Sequence, residues 1–189
     1  MRFILILILA YVAGSVNFSI LAFKALGRQD PRSRYSKNPG VSNVYRQAGP
    51  ALAAVVLILD MVRAAAVAFA AVALLPPSMI PWVGLALILG NAYPCFHGLQ
   101  GGKGVANFLG FTVVLATPAA ALAVLAWGAV FALWRKPFLS SFAMVLVLSV
   151  GMLYACGAGG LSMAGTLLAV GFIFYRHREN VRQLLGSRT

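Results

Sequence analysis

The stretch Val105–Trp134, VANFLGFTVVLATPAAALAVLAWGAVFALW, decides the fold of this chain. Its thirty residues are almost all apolar, and the Thr117–Pro118 step interrupts them. Since a helix needs about 20 apolar residues to span a bilayer, length alone favours one long kinked helix. A hairpin of two shorter helices, broken at Thr117–Pro118, is the alternative.

The composition of the whole chain indicates a membrane protein. Of its 189 residues, 61% are hydrophobic and only 10% are charged, and the mean hydropathy is +0.91. Soluble domains are typically about 45–50% apolar and roughly 25% charged, and disordered chains are more polar still. The sequence therefore predicts an all-α integral membrane protein, with residues 1–189 forming a single transmembrane domain.

Other apolar runs flank the deciding stretch on both sides. They cover Phe3–Phe23, Ala51–Leu75, Met79–Phe96, Phe138–Ala155 and Leu161–Tyr175. The first run begins like a signal peptide, but no clear cleavage site follows and its apolar character continues to Phe23. We therefore expect it to be retained, which gives six spans if Val105–Trp134 is one helix and about seven if it is two.

The basic residues choose between these two counts. The chain carries fifteen Lys and Arg against three acidic residues, a net charge of +12. Seven helices place thirteen of the fifteen on one side, whereas six helices split them seven and seven, with Arg63 embedded in both cases. Because basic loops stay in the cytoplasm, we predict seven helices with the N-terminus outside and the C-terminus cytoplasmic. With no soluble basic domain present, this charge predicts contacts with membrane lipids or anionic substrates, and no nucleic acid.

Three polar clusters lie on the predicted cytoplasmic side. The first is Ser36–Arg46, SKNPGVSNVYR, within the polar loop Lys24–Pro50. Its composition favours a tight turn that exposes backbone groups, and its side chains suit a phosphate or carboxylate. The candidate binding residues are Ser36, Asn38, Gly40, Ser42, Asn43 and Arg46. An ordinary solvated loop is the alternative interpretation.

The second cluster is the glycine turn, Gly101-Gly102-Lys103-Gly104, at the start of a predicted helix. Glycines let backbone N–H groups turn toward an anion, the helix N-terminus adds positive potential, and Lys103 adds a full charge. The spacing does not match the nucleotide-binding P-loop, because His97 replaces the first glycine and Gly104 follows the lysine. A plain helix-connecting turn is the alternative.

The third cluster is Tyr175–Asn180, YRHREN, at the cytoplasmic end of the last apolar run. His177 and Asn180 are three residues apart and would share one helix face, which could point toward the glycine turn. A basic tail that only touches anionic lipid is the alternative.

One acid and one base lie inside a predicted span. Asp60 and Arg63 have i, i+3 spacing, and an embedded pair is costly unless its charges meet. We therefore expect a structural ion pair rather than a catalytic carboxylate. The sequence has neither metal-ligand spacing, nor a Ser–His–Asp order, nor the H-x-x-x-x-D acyltransferase signature, and we expect no metal or cofactor.

Taken together, these motifs resemble the bacterial membrane acyltransferases that use acyl phosphate, the PlsY family. Ser36–Arg46 resembles that family's S-G-N-P-G-A-T-N-x-x-R motif, Leu99–Ala106 its F-x-G-G-K-G-V-A element, and His177–Asn180 its H-R-x-N element. The resemblance covers essentially the whole chain, including Gly14–Phe18, and it too implies seven helices. The sequence departs from the family pattern at Lys37, Ser42, Arg63, Asn91, Leu99 and Phe138.

The resemblance implies transfer of a fatty acyl group from acyl phosphate to the 1-hydroxyl of glycerol 3-phosphate. The products are lysophosphatidate and phosphate, the first step of phospholipid synthesis, at the cytoplasmic face of a bacterial inner membrane. We expect the acyl-phosphate group to be bound by Ser36, Ser42, Lys103 and the glycines Gly101, Gly102 and Gly104.

Arg46, His177 and Asn180 are then expected to hold glycerol 3-phosphate, with Asn38, Gly40 and Asn43 shaping the loop. The general base is His177 or a substrate phosphate. Two other functions fit the same composition: a small transporter or flippase for a phosphorylated or lipidic anion, and a paralogue that binds these substrates without turnover.

Overall fold

In the computed structural model, which describes residues 1–186, every regular element is helical. The α-helices are α1 Arg2–Ser15, α2 Phe18–Ala25, α3 Val41–Leu74, α4 Ile80–Ala92, α5 Val105–Leu115, α6 Thr117–Trp134, α7 Pro137–Cys156, α8 Gly160–Arg176 and α9 Arg178–Gly186. Short 3₁₀ turns cover Pro31–Ser33 and Pro77–Met79. Arg188, which the charge argument counts as cytoplasmic, and the rest of the C-terminus beyond Gly186 lie outside the described residues.

The deciding stretch forms two helices. Ala116 leaves the helical region with φ −150° and ψ 71°, so that α5 ends at Leu115 and α6 begins at Thr117. Pro118 lies in the first turn of α6, where a missing N–H costs nothing, whereas inside a longer helix it would remove a hydrogen bond. The break that the hairpin interpretation requires is confirmed. The number of crossings and their orientation stay predictions.

Three expected runs have different bounds in the structure. Phe3–Phe23 is not one helix, because the chain unwinds at Val16 and Asn17 and α2 restarts with the Asn17 side chain accepting a hydrogen bond from the Ile20 N–H at 3.1 Å. Helix α3 starts at Val41, well before the expected Ala51, and carries a non-helical Gly49 with φ 83° just before Pro50. Helix α4 ends at Ala92, where Tyr93 precedes Pro94.

Among residues 1–186, four segments are long and apolar enough to cross a membrane. They are Arg2–Ala25, Val41–Leu74, Thr117–Trp134 and Pro137–Cys156. Pro77–Ala92, Val105–Leu115 and Gly160–Arg176 are shorter apolar helices. In α6 only Ala120 and Ala123 are buried and most other apolar side chains are exposed, as expected of a helix whose outer surface meets lipid, while Trp127 packs half-buried against the core.

Glycines let the short helix α4 pack closely against α1. A Cβ atom added at Gly90 would lie 2.0 Å from the Tyr11 carbonyl oxygen, and one added at Gly14 would lie 2.1 Å from that of Leu87. Small residues at helix crossings are typical of membrane proteins, because close backbone approach replaces the hydrophobic driving force that lipid removes. This crossing brings the ends of α1 and α4 together beside the polar loops.

The predicted ion pair between Asp60 and Arg63 is present. The Arg63 guanidinium lies 2.8 Å from the Asp60 carboxylate and also donates to the Val16 carbonyl oxygen and the Asn107 side-chain oxygen. Both charged side chains are nearly buried. The pair therefore joins α3 to the break between α1 and α2 and to the start of α5, directly behind the glycine turn.

Candidate active site

The glycine turn has no room for larger residues. A Cβ atom at Gly101 would lie 2.0 Å from the Asn91 carbonyl oxygen, and Gly104 caps α5 in the left-handed region with φ 86°. The turn is held to the end of α4, since Gly102 N–H donates to the Asn91 carbonyl at 2.9 Å and Gly101 N–H to that of Ala92 at 3.1 Å.

This arrangement corrects the expected role of Gly101 and Gly102. Their N–H groups donate within the protein and do not face an anion. Within the described chain, Phe108 N–H donates to the Gly104 carbonyl at 2.9 Å, whereas no backbone hydrogen bond is made by the N–H groups of residues 103–107. The donors available to an anion are therefore these groups, together with the Lys103 side chain.

Arg176 fixes the orientation of the turn from the other side. Its guanidinium donates to the carbonyl oxygens of Gly101 and Gly102, both at 3.2 Å, and lies 5.1 Å from the Tyr93 ring centre. These two hydrogen bonds point the carbonyl oxygens of Gly101 and Gly102 away from the free N–H groups that follow in the chain. Arg176 is not among the predicted site residues, although its place beside His177 was a signal.

The structure joins the glycine turn to the C-terminal cluster, Tyr175–Asn180. The Lys103 ammonium group donates to the Asn180 side-chain oxygen. His177 is buried between α8 and α9, and its Nδ1 lies 2.8 Å from the Ile173 carbonyl oxygen. Because a carbonyl only accepts, Nδ1 must carry the hydrogen, which leaves Nε2 as an acceptor. The structure confirms that Asn180 points toward the glycine turn. His177 lies between α8 and α9 and not on one helix with Asn180, so its contact with the turn stays a prediction.

Burial and charge set the protonation of this site. Burial, reinforced by the charges of Arg176 and Arg46, lowers the pKa of Lys103 to about 8. Burial, reinforced by the Lys103 charge, lowers the pKa of His177 to about 4. At neutral pH His177 is therefore neutral, while most Lys103 side chains keep their proton.

Asn43 shapes the first cluster as expected. Its buried side chain donates to the Pro31 carbonyl oxygen at 2.8 Å and to that of Arg34 at 3.3 Å. Contrary to the expected turn, the cluster is helical from Val41, with Gly40 as the N-cap residue. A Cβ atom at Gly40 would lie 2.7 Å from the Asn38 amide nitrogen, so these two residues also pack together as loop formers.

The first cluster is only partly joined to the glycine turn. Arg46 lies near enough to Lys103 to lower its pKa. Farther along, Arg32 links the two loops by donating to the carbonyls of His97 at 2.8 Å and Gln100 at 3.1 Å. Ser36 and Ser42 are exposed and make no hydrogen bond to the turn within residues 1–186, so their contact with acyl phosphate stays a prediction.

Lys37 departs from the family pattern at a strained position. Its φ is 51°, in the left-handed region that glycine adopts without cost. The family motif that this loop resembles has glycine at this position, and glycine suits a positive φ better than lysine does. Asn91, another departure, is buried beneath the turn, with its amide nitrogen 2.6 Å from the place a Gly102 Cβ would take.

The comparison with known proteins agrees with this geometry. A family model described as glycerol-3-phosphate acyltransferase matches residues 4–187. This chain belongs to the glycerol-3-phosphate acyltransferase family. It is therefore an integral membrane acyltransferase, and the transporter interpretation is set aside.

Relatives and solved structures of this family match over nearly the whole chain. The glycerol-3-phosphate acyltransferase of Pseudomonas aeruginosa is 39% identical over 185 residues, covering 97% of this chain and 96% of that protein. The enzyme of the same name from Myxococcus xanthus is 41% identical over 182 residues, covering 95% and 94%.

A crystal structure of PlsY (YgiH) in its glycerol 3-phosphate form is 31% identical, with a TM-score of 0.90, and the match covers 100% of this chain and 94% of that one. Its lysophosphatidic acid form is 30% identical with a TM-score of 0.87 and the same coverage. The same helical architecture is therefore found in a protein with crystal structures of a glycerol 3-phosphate form and a lysophosphatidic acid form.

Proposed function

We propose that this chain transfers a fatty acyl group from acyl phosphate to the 1-hydroxyl of glycerol 3-phosphate, giving lysophosphatidate and inorganic phosphate. The observation that carries the proposal is the junction of Lys103 with Asn180, which places a cation, free N–H donors and Arg46 around one site. Both substrates carry a phosphate, and the known structures are named for the acceptor and the acylated product.

The reaction needs no covalent enzyme intermediate, because acyl phosphate is already an activated mixed anhydride. The 1-hydroxyl oxygen attacks the acyl carbonyl carbon, a carbon–oxygen bond forms, and the bond to the phosphate oxygen breaks. Lys103 and the N–H groups at the start of α5 stabilise the negative charge on the departing phosphate. Arg46, His177 and Asn180 hold the acceptor, glycerol 3-phosphate, in line for attack.

The proton of the hydroxyl then has two possible acceptors in this site. His177 has a free Nε2, but its pKa of about 4 makes it a weak base. The departing phosphate gains charge as the bond breaks and titrates near neutral pH, which suits it better to take the proton. We therefore assign the proton to phosphate, and to His177 the orientation of the acceptor.

We further propose that the protein lies in a bacterial inner membrane with this site facing the cytoplasm. The support is the charge asymmetry: thirteen basic residues fall on the side that carries all three polar clusters. Lipid on that side supplies a surface for the acyl chain of the donor, while soluble glycerol 3-phosphate arrives from the cytoplasm.

The test of the function is an assay with defined acyl donors. We expect purified protein in liposomes to convert acyl phosphate and labelled glycerol 3-phosphate to lysophosphatidate, and to be inactive with acyl-CoA of the same chain length. Protein-free liposomes serve as the control for chemical acylation. Equal rates with acyl-CoA would contradict the donor assignment, and absence of lysophosphatidate with both donors would contradict the proposed function itself.

The lowered pKa of Lys103 predicts a specific pH dependence. The charged form is the active one, so kcat/KM should fall as the pH rises through about 8, where Lys103 of the free enzyme loses its proton. Bound phosphate favours the ammonium form, so the basic limb of kcat should lie at higher pH. Any activity left in Lys103→Arg should lose this limb, and a wild-type profile that stays flat to pH 10 would contradict the assignment.

A further inference from the structure

A cavity of about 250 Å³ lies beside Asn180, on the side of the site nearest Arg46. Its lining comes from three parts of the chain: Arg46 in α3, the turn between α6 and α7, and α9. The lining residues are Arg46, Arg135, Lys136, Pro137, Phe138, Asn180, Gln183 and Leu184. This set holds three cations and no acid, so the cavity suits an anion.

The turn between α6 and α7 contributes two of these cations from a fixed backbone. Arg135 ends α6 in the left-handed region with φ 52°, and Lys136 caps the start of α7. The Lys136 carbonyl accepts a hydrogen bond from the Ser140 hydroxyl at 3.3 Å, and that of Pro137 accepts one from Ser141 at 2.9 Å. The turn is therefore held in place while its basic side chains stay available.

Lys136 is the cation of this turn without a partner. The Arg135 guanidinium has an aromatic neighbour, since it lies 6.0 Å from the centre of the Phe131 ring. Lys136 is half-buried and makes no side-chain hydrogen bond or ion pair anywhere in the described residues. Because the cavity brings Lys136 together with two further cations and no acid, an anion bound there would offset the repulsion between them.

We propose that Lys136, with Arg135 beside it, forms a second cationic wall of the acceptor site and binds the phosphate of glycerol 3-phosphate opposite Arg46 and Asn180. This inference rests on the proposed function and adds a binding element to it. Asn180 links the two halves, since it lines the cavity and also accepts a hydrogen bond from Lys103 at the place of acyl transfer.

The size and lining of the cavity favour the acceptor over the donor. Pockets for drug-sized ligands are about 300–1,000 Å³, so a cavity of about 250 Å³ suits a molecule as small as glycerol 3-phosphate. Apart from Pro137, its only apolar lining residues are Phe138 and Leu184, which cannot cover a fatty chain. We therefore expect the acyl donor to bind on the side of the glycine turn that faces lipid.

The test is the substitution Lys136→Gln, which removes the charge and keeps a polar side chain that is only one methylene shorter. We expect KM for glycerol 3-phosphate to rise roughly tenfold, with kcat and KM for acyl phosphate nearly unchanged, because the contact is made equally in the ground and transition states. The inhibition constant of inorganic phosphate, measured against glycerol 3-phosphate, should rise in parallel. Lys136→Arg should recover most of the affinity.

Lys24→Gln is the matched control. Lys24 is an exposed lysine at the end of α2, outside this cavity, and its substitution removes the same charge from the protein. Its KM for glycerol 3-phosphate should stay near the wild-type value. An equal rise in both variants would overturn the inference, because it would indicate a general effect of surface charge.

A binding measurement separates this inference from the proposed function. Without acyl donor, glycerol 3-phosphate should raise the melting temperature of wild-type protein more than that of Lys136→Gln at the same concentration. If the wild type makes no lysophosphatidate, the proposed function fails. If it does, and Lys136→Gln keeps both KM and the melting shift, then only the role of Lys136 fails.

Discussion

Replacing Lys103 with alanine should lower kcat by roughly 10²–10³, the usual effect of removing one preorganised donor to a developing negative charge. The structure gives the physical reason. Lys103 lies between the Asn180 side chain and the unpaired N–H groups at the start of α5, in a turn fixed by Arg176. Its ammonium group is partly desolvated, so its interaction with phosphate is stronger than that of an exposed lysine.

Lys103→Arg should restore only part of the activity, since a planar guanidinium does not replace a compact ammonium group in a tight glycine turn. Lys24→Ala is the matched control, because Lys24 is an exposed lysine at the end of α2 and lies outside the three polar clusters. Gel filtration in detergent should show that all three variants are folded. Activity of Lys103→Ala within about threefold of wild type would mean that the turn is only a connector and that the site lies elsewhere.

The sequence was sufficient to predict that the glycine turn and the C-terminal cluster meet at this site. Thr117–Pro118 marks the break between α5 and α6, since proline is tolerated in a first turn and not inside a helix. The C-terminal cluster is predicted to point toward the glycine turn, and the structure has Asn180 in contact with Lys103, although His177 lies between α8 and α9 and shares no helix face with Asn180. The break between α5 and α6 depends on local rules of helix geometry, which one segment determines by itself.

Tertiary contacts account for what the sequence did not predict. Contacts with α4 determine which N–H groups of the glycine turn stay free. The carbonyl groups of Asn91 and Ala92, at the end of α4, accept hydrogen bonds from the N–H groups of Gly102 and Gly101. The hydrogen bonds of Arg176 join positions more than 70 residues apart, so no local pattern reports them. Likewise, the cavity beside Asn180 exists only because the turn between α6 and α7 lies against α3 and α9.

The unwinding between α1 and α2 was missed for a similar reason. Residues 3–23 have the composition of one continuous span, yet the Val16 carbonyl is turned toward the Arg63 guanidinium on another helix. A carbonyl released from a helix inside a membrane must find another donor, and Arg63 supplies it. The break and the embedded arginine are therefore one feature, and each accounts for the other.

Because of this shared role, Arg63→Met should destabilise the protein strongly. It leaves the Asp60 carboxylate buried without its cation, and the Val16 carbonyl and Asn107 side chain lose their common donor. Removing one member of a buried ion pair typically costs about 3–5 kcal/mol of the free energy of unfolding, which lowers the melting temperature by roughly 6–20 °C for a chain of this size. The measurement is thermal unfolding of the purified protein in detergent.

The double variant Asp60→Asn/Arg63→Met distinguishes the buried charge from the loss of the long side chain. It leaves no unpaired charge inside the membrane, so it should melt at a higher temperature than Arg63→Met, although below wild type because the Val16 carbonyl still lacks its donor. Arg63→Lys keeps a cation and should be the mildest of the three. If Arg63→Met melts within about 2 °C of wild type, a shift smaller than the loss of 1 kcal/mol would give, the pair does not hold α1, α3 and α5 together. If single and double variants melt alike, well below wild type, the hydrogen bonds to Val16 and Asn107 stabilise the fold and the charge pairing contributes little.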